Sequence, residues 1–190
     1  MAAREAFAAH GFEGTTIRDI ARRADVATGT VFVHFPDKSA LLAEVFHAQL
    51  EEVLARAFRT LPRGNLKRQL LHLADHLYRH YAGQPSLSRV LVKESLFMTG
   101  APGQLLEAHR MQFLGRVADL VMDARARGEV RSDVEVVAVV RLFFGIYFTT
   151  LVAGLRGDLG PVDTWAEALS GALTPWLFPD EEEQKGRKWR

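Results

Sequence analysis

The chain has 190 residues, 48% hydrophobic and 25% charged, ordinary values for a globular protein that exclude a disordered, collagenous or low-complexity chain. Its 24 Lys and Arg against 23 Asp and Glu leave a net charge of +1, so no bulk attraction to nucleic acid or membrane follows. Cysteine is absent, which excludes a disulfide framework, a thiolate nucleophile and Cys-ligated zinc.

Helical periodicity dominates and strand alternation is absent. Residues 1–10 predict a short helix closed by Gly11. Thr16 heads Thr16-Ile17-Arg18-Asp19, a capped start with an acid at the third helical position, for a helix to about Ala24. Asp25-Val26-Ala27 is a turn, and a second short helix runs from about Thr28 to His34. Asp37 caps a longer helix to about Thr60, and Asn65 opens the next, to about Tyr81. Ser86 opens a helix to about Met98, residues 99–103 form a loop, and a long helix follows to Gly128. Ser132 with Glu135 is a capping box for a helix from Asp133 to Arg156. Gly160-Pro161 starts a last helix, broken or kinked at Pro175. The expected fold is therefore all-α with nine helices. Its expected domains are 1–46, 47–178 and a polar, mobile tail at 179–190. The N-terminus lacks an apolar h-region, so a cytoplasmic protein is expected. The stretch Val136–Leu155 is interrupted by Arg141 and reads as a buried helix of a soluble protein rather than a membrane span.

Ile17, Ile20, Ala21 and Ala24 form an apolar stripe on one short helix; Val31 and Phe35 form another on the next. Val26 is positioned to plug the angle between them. Helices this short need a third to pack against, and Ala6, Phe7 and Phe12 supply it. Two helices joined by a tight turn make a helix-turn-helix, whose second helix fits a major groove. Thr28 and Thr30 offer hydroxyls for phosphates or base edges, and Gly29 lets the backbone come close. His34 and Lys38 reach towards phosphates, and Arg18 and Arg22 lie one turn apart on the preceding helix.

Residues 15–21 (Thr-Thr-Ile-Arg-Asp-Ile-Ala), 26–35 (Val-Ala-Thr-Gly-Thr-Val-Phe-Val-His-Phe) and 37–42 (Asp-Lys-Ser-Ala-Leu-Leu) together resemble the DNA-binding domain of TetR-family transcriptional regulators. The resemblance implies a homodimer on a palindromic operator of double-stranded DNA, and a C-terminal domain that binds a small effector. It maps Thr16, Thr28, Thr30, Phe32, His34 and Lys38 onto DNA-contact positions; Arg18 and Gly29 join them from the residue reading. Repression is the family's default. The chain departs from the pattern at Phe32, where a Tyr is usual, and at Ala27, where a Ser often caps the recognition helix. It also carries little of the basic N-terminal arm. The first 46 residues hold five Lys or Arg against six Asp or Glu, so affinity must come from placement and dimerisation rather than from a basic field.

The helix from Asp133 to Arg156 is apolar nearly all round, as a helix buried on both sides would be. A second subunit would supply one of those surfaces, Gly145 and Gly154 allow a partner helix close, and the last helix offers Trp165, Leu169, Ala172, Leu173 and Trp176. Two such helices from each subunit make a four-helix bundle. Arg141, alone among apolar residues, needs a partner if buried. An ion pair with Asp119 or Glu94, an interface salt bridge, or an anchor for an acidic group on a ligand would each serve. Phe97, Met98, Met111, Phe113, Phe144 and Tyr147 are either core or the lining of a cavity for a mostly apolar effector. His72, His76 and His80 repeat at four-residue spacing but fan from solvent to the core edge, at roughly 140°, 100° and 60° from the apolar stripe. A metal site is not expected there, and His76 and His80 are taken as a pocket border. No nucleophile elbow, phosphate loop, dinucleotide fingerprint or His-Glu-x-x-His is present, and Glu44 to His47 is the only Glu-x-x-His, so neither an enzyme nor a cofactor is expected.

Overall fold

A computed structural model describes residues 1–131 and 133–177. Among them are nine α-helices and one 3-10 turn, with no strand. The helices are α1 (Ala2–His10), α2 (Ile17–Arg23), α3 (Thr28–His34), α4 (Lys38–Arg59), α5 (Leu66–Gly83), α6 (Pro85–Ser95), α7 (Gly100–Ala126), α8 (Val136–Arg156) and α9 (Trp165–Leu177). They group into two compact units of interleaved chain. Unit one holds Met1–Val53 and His80–Met111; unit two holds Leu54–Arg79 and the chain from Gln112 onward.

In unit one α1 packs against α2 and α6, and α2 against α3. Each helix is too short to bury a face alone, so Phe7, Ile17, Ile20, Ala21 and Val31 close one shared core, with Leu87 and Leu91 of α6 also buried. The caps lie where the side chains predict them. Thr16 Oγ1 accepts from the Asp19 N–H at 3.1 Å, and Asp37 Oδ1 accepts from the Ala40 N–H at 2.7 Å. The α2–α3 turn is closed by backbone rather than by Val26, which is exposed. Asp25 takes a left-handed φ of 54°, its N–H donates to Arg22 at 3.3 Å, and the Val26 N–H donates to Ala21 at 3.0 Å. That crossed pair of bonds ends a helix on one left-handed residue, a conformation Asp tolerates. Two boundaries differ from expectation. Helix α6 stops at Ser95 rather than at Met98, and the expected loop at 99–103 is largely the first turn of α7. Pro102 fits there because a helix's first N–H groups have no intrahelical partner to lose.

In unit two the inner face of α8 (Val139, Val140, Phe143, Tyr147, Leu151, Leu155) and Trp165, Leu169 and Leu173 of α9 are buried, and the two helices pack together. Gly154 is what lets them close. A Cβ there would overlap the Trp165 indole, so this glycine seats a ring of its own chain rather than a partner helix. Gly145 has nothing within 4 Å of its would-be Cβ. The Tyr78 hydroxyl donates to the Tyr147 carbonyl at 3.1 Å, and burial pushes that phenol above its ordinary range. Glu129 caps α5 from a distant loop: its Oε2 accepts the Leu66 N–H at 2.7 Å, while Asn65 Oδ1 takes the Arg68 N–H at 2.9 Å. Arg127 holds the other carboxylate oxygen at 2.7 Å. Burial opposes ionisation of Glu129, but these bonds outweigh it and hold the carboxyl below its usual value.

By length and composition α8 could cross a membrane, and the expectation was burial on both sides. Within this chain one side is covered: Val137 is 60% exposed, and Ala138, Arg141, Gly145 and Thr149 are exposed. Helix α9 runs on through Pro175 to Leu177. The Ser132–Glu135 capping box, the Trp176 side chain and the tail from 179 lie outside the described residues; Glu135 itself makes no capping side-chain bond.

Candidate functional site

Val31 is the buried anchor of α3. At about 100° per residue, Gly29 and Val33 lie on the opposite side of the helix, flanked by Thr30 and Phe32. The exposures follow: Val33 is 80% and Phe32 49% exposed, Gly29, Thr30 and His34 are exposed, and Thr28 is half-buried. Nothing lies within 4 Å of a Cβ built on Gly29. The outward face of α3 is therefore a small, uncharged ridge whose floor is a bare backbone. Val33 was missed because an apolar residue in a short helix reads as core. Its phase opposite Val31 was the available signal.

Around this ridge most cations already have partners. Arg22 Nη2 pairs with Asp19 Oδ1 at 2.7 Å and Arg23 with Glu5 at 3.6 Å. Asp19 is held below its ordinary carboxylate value, chiefly by the Thr16 hydroxyl that donates to it at 2.6 Å and also by Arg22. Thr16 is thus a cap as well as an exposed hydroxyl at the start of α2. Arg18 is exposed and, among the described residues, forms no ion pair. Lys38 is turned inward: its Nζ donates to the Phe12 carbonyl at 2.6 Å and lies 4.3 Å from that ring's centre. Ala27, the residue before α3, makes no capping side-chain bond.

The expected effector residues fall into both units. In unit one, Phe97 is 87% exposed, and with Met98 it borders an open groove of about 960 Å³ that Phe12, Phe35 and Pro102 also line; Met111 is exposed. In unit two, Phe113 is buried edge-on to Phe58 at 6.2 Å. Tyr147 is buried and stacked on Tyr78 at 5.3 Å, and half-buried Phe144 stacks on Phe148 at 6.0 Å. Arg141, expected to need a partner if buried, is exposed and forms no ion pair among the described residues. The helix side that carries it is not the side this chain packs. His72 and His76 fasten the end of α4. His72 Nε2 lies 3.0 Å from the Ala57 carbonyl, and Thr60 Oγ1 lies 3.2 Å from His72 and 3.4 Å from His76. Among the described residues no three His, Asp or Glu side chains are grouped as a metal would require.

A two-helix corner with an exposed, glycine-floored second helix, set on a third helix and continued by an all-α body, defines a helix-turn-helix DNA-binding protein. Residues 1–45 match the family model described as bacterial regulatory proteins, tetR family. The chain is 28% identical over 145 residues to the HTH-type transcriptional repressor KstR of Rhodococcus jostii (strain RHA1), covering 76% of this chain and 65% of that repressor. It is 27% identical over 179 residues to the HTH-type transcriptional regulator UidR of Escherichia coli (strain K12), covering 90% and 87%. Among solved structures, FadR from Bacillus subtilis in complex with stearoyl-CoA matches with a TM-score of 0.80 at 20% identity, over 91% of this chain and 95% of that one. Salmonella enterica GusR matches with a TM-score of 0.71 at 25% identity, over 93% and 91%. Residues 1–45 are thus similar to the DNA-binding domain of the tetR family of bacterial regulatory proteins, and the chain is a transcriptional regulator.

Proposed function

We propose that this protein is a cytoplasmic repressor, not an enzyme, that binds a palindromic operator as a homodimer and leaves it when a mostly apolar effector binds. The observation that carries this is the outward face of α3, where Gly29 lets the backbone approach base edges and Thr30 and Val33 stand beside it. A threonine hydroxyl reads polar groups and a valine methyl meets the thymine methyl group. Thr16, Arg18, Thr28 and His34 flank that face as phosphate contacts, which position without specifying. Phe32 adds its ring, and Lys38 holds α4 in place.

Dimerisation is supported by the uncovered side of α8. Val137, Ala138 and Gly145, with Ala168, Gly171 and Ala172 of α9, are exposed small or apolar residues that a second copy would cover in a four-helix bundle. Arg141 lies on that side, and we assign it to the subunit interface. For the effector we infer a fatty acyl thioester of coenzyme A, the class of ligand held by the FadR structure of like fold. Its chain would lie in unit two among Phe113, Phe144 and Tyr147, with His76 at the border. The groove beside Phe97 and Met98 is the second apolar surface open to it, and exposed Met111 is a further one.

The test is fluorescence anisotropy of labelled DNA from upstream of the protein's own gene, titrated with protein and then with stearoyl-CoA. The reading expects saturable, salt-sensitive binding by a dimer and release on adding the thioester. Absence of sequence-specific binding would overturn it.

A further inference from the structure

The chain carries an unusual run at the α4–α5 corner of unit two. Between Glu52 and Asp75 there are five cations (Arg56, Arg59, Arg63, Lys67 and Arg68) and no acid. Arg59, Arg63 and Arg68 are exposed and Lys67 is half-buried. None of these four forms an ion pair or a side-chain hydrogen bond among the described residues. Many exposed arginines elsewhere are neutralised locally, Arg22 by Asp19, Arg79 by Asp163, Arg110 by Glu107, Arg131 by Asp133 and Arg156 by Asp158, while Arg18 and Arg141 stand singly. Among the described residues Arg59, Arg63, Lys67 and Arg68 thus make the corner a concentrated positive field without ion-pair partners, on a chain of nearly zero net charge.

The backbone under this field is fixed, so the cations are presented rather than loose. Asn65 and Glu129 cap α5, and His72 and Thr60 close the end of α4. Glu129, an acid that reaches the corner, spends its carboxylate on the Leu66 N–H and on Arg127. The stem of Arg68 lies over Gly64, where a Cβ would meet its Cδ at 3.4 Å. Beside the cations is an aromatic pair. Phe58 is half-buried, edge-on to buried Phe113, and its ring face is covered by the Arg116 guanidinium 3.5 Å from the ring centre.

We infer that this corner is a polyphosphate-binding edge, which holds the coenzyme A end of an acyl thioester while the chain enters past Phe58. The chemistry selects that class. A fatty acid brings one carboxylate and needs one cation. A coenzyme A thioester brings a diphosphate and a phosphomonoester, the latter alone carrying about −2 near neutral pH. Arginine is the side chain whose planar fork matches phosphate oxygens, and three of the four unpaired cations are arginines. The inference rests on the acyl-thioester reading of the effector given above.

The experiment releases labelled operator DNA from wild type and from the triple variant Arg63→Ala, Lys67→Ala, Arg68→Ala, using stearoyl-CoA, coenzyme A and stearate in turn. The variant should need at least about tenfold more stearoyl-CoA for half release, about 1.4 kcal/mol. Its response to stearate, its operator affinity without ligand and its Tm should match wild type. Wild-type release by stearoyl-CoA should weaken as salt rises, and the variant's should weaken less. Equal stearoyl-CoA response in the two proteins overturns the inference and leaves the effector reading intact. A variant that loses operator affinity without ligand overturns it too, because the corner would then be touching DNA. Wild type that responds to stearate and not to stearoyl-CoA also overturns it. Wild type that responds to neither overturns the effector reading, and the inference falls with it. Should the triple variant not fold, Arg63→Gln and Arg68→Gln singly carry the same test with smaller shifts.

Discussion

Lys38 and Phe12 are joined twice: the lysine Nζ donates to the Phe12 carbonyl at 2.6 Å and sits 4.3 Å from the centre of its ring. The pair ties the first turn of α4 to the loop between α1 and α2, and so fixes the α3–α4 junction. Lys38→Met keeps the stem and removes both interactions. It should lower stability by about 1–2 kcal/mol, the worth of a hydrogen bond from a charged group at a partly exposed site. The salt slope of operator binding should fall by less than about 1, the value of one lost phosphate contact. Unchanged stability with a full loss of one unit of slope would make Lys38 a phosphate ligand instead.

Phe32 stands half exposed on the outward face of α3, the face proposed above to meet DNA. Phe32→Tyr should tighten operator binding by about 0.5–1.5 kcal/mol, the net value of one hydrogen bond. Base preference should not change, because phosphate contacts carry no sequence information directly. Titrations against the operator and single-base variants would check both. Weaker binding or a shifted consensus would show that the bare ring itself is read.

The DNA-binding corner was legible in the sequence because its signals are local. Thr16 and Asp37 cap helices three residues away, and Ile17, Ile20 and Ala21 mark one face within a single turn. The Lys38–Phe12 tie was not legible, since it joins residues far apart in the chain through a loop of no regular pattern. Nor was the exposure of Arg141. Apolar residues all round α8 say that both sides want cover, but not which side this chain covers. The 99–103 segment misled because proline and glycine mark loops and helix first turns alike. The effector residues were the least legible: aromatic side chains on long helices look the same whether they fill a core or line a cavity.

Gly154 and Trp165 give a packing test. Gly154→Ala would drive a methyl into the indole, and overpacking costs typically about 1–3 kcal/mol. For a chain of this size the Tm should fall by roughly 2–4 °C per kcal/mol. Gly145→Ala, with open space around its Cβ, should leave the fold unharmed. Equal melting temperatures for Gly154→Ala and wild type would mean that the two helices are not so closely seated.

Acid should weaken the protein through His109. This ring is buried, its Nε2 has no hydrogen-bond partner, and it meets the His47 ring edge-on at 4.8 Å. Burial first, and then His47, lower its pKa from the ordinary 6.5, with Glu51 pulling weakly the other way. A lowered folded pKa means that the unfolded chain binds the proton more readily, so stability declines as pH falls through 6.5 and levels off below the folded value. His109→Leu should flatten the stability profile between about one unit above and one unit below that value. An identical profile in both proteins would remove His109 as the cause.

Whether the outward face of α3 reads DNA is tested most directly by operator affinity measured beside subunit mass. Thr30→Ala with Val33→Ala removes two side chains from that face and touches no buried residue. Binding should weaken at least about tenfold, given about 1–3 kcal/mol per good base contact, with the dimer intact and the Tm unchanged. A double variant that binds the same operator as tightly as wild type, at the same mass, would show that this face does not read DNA.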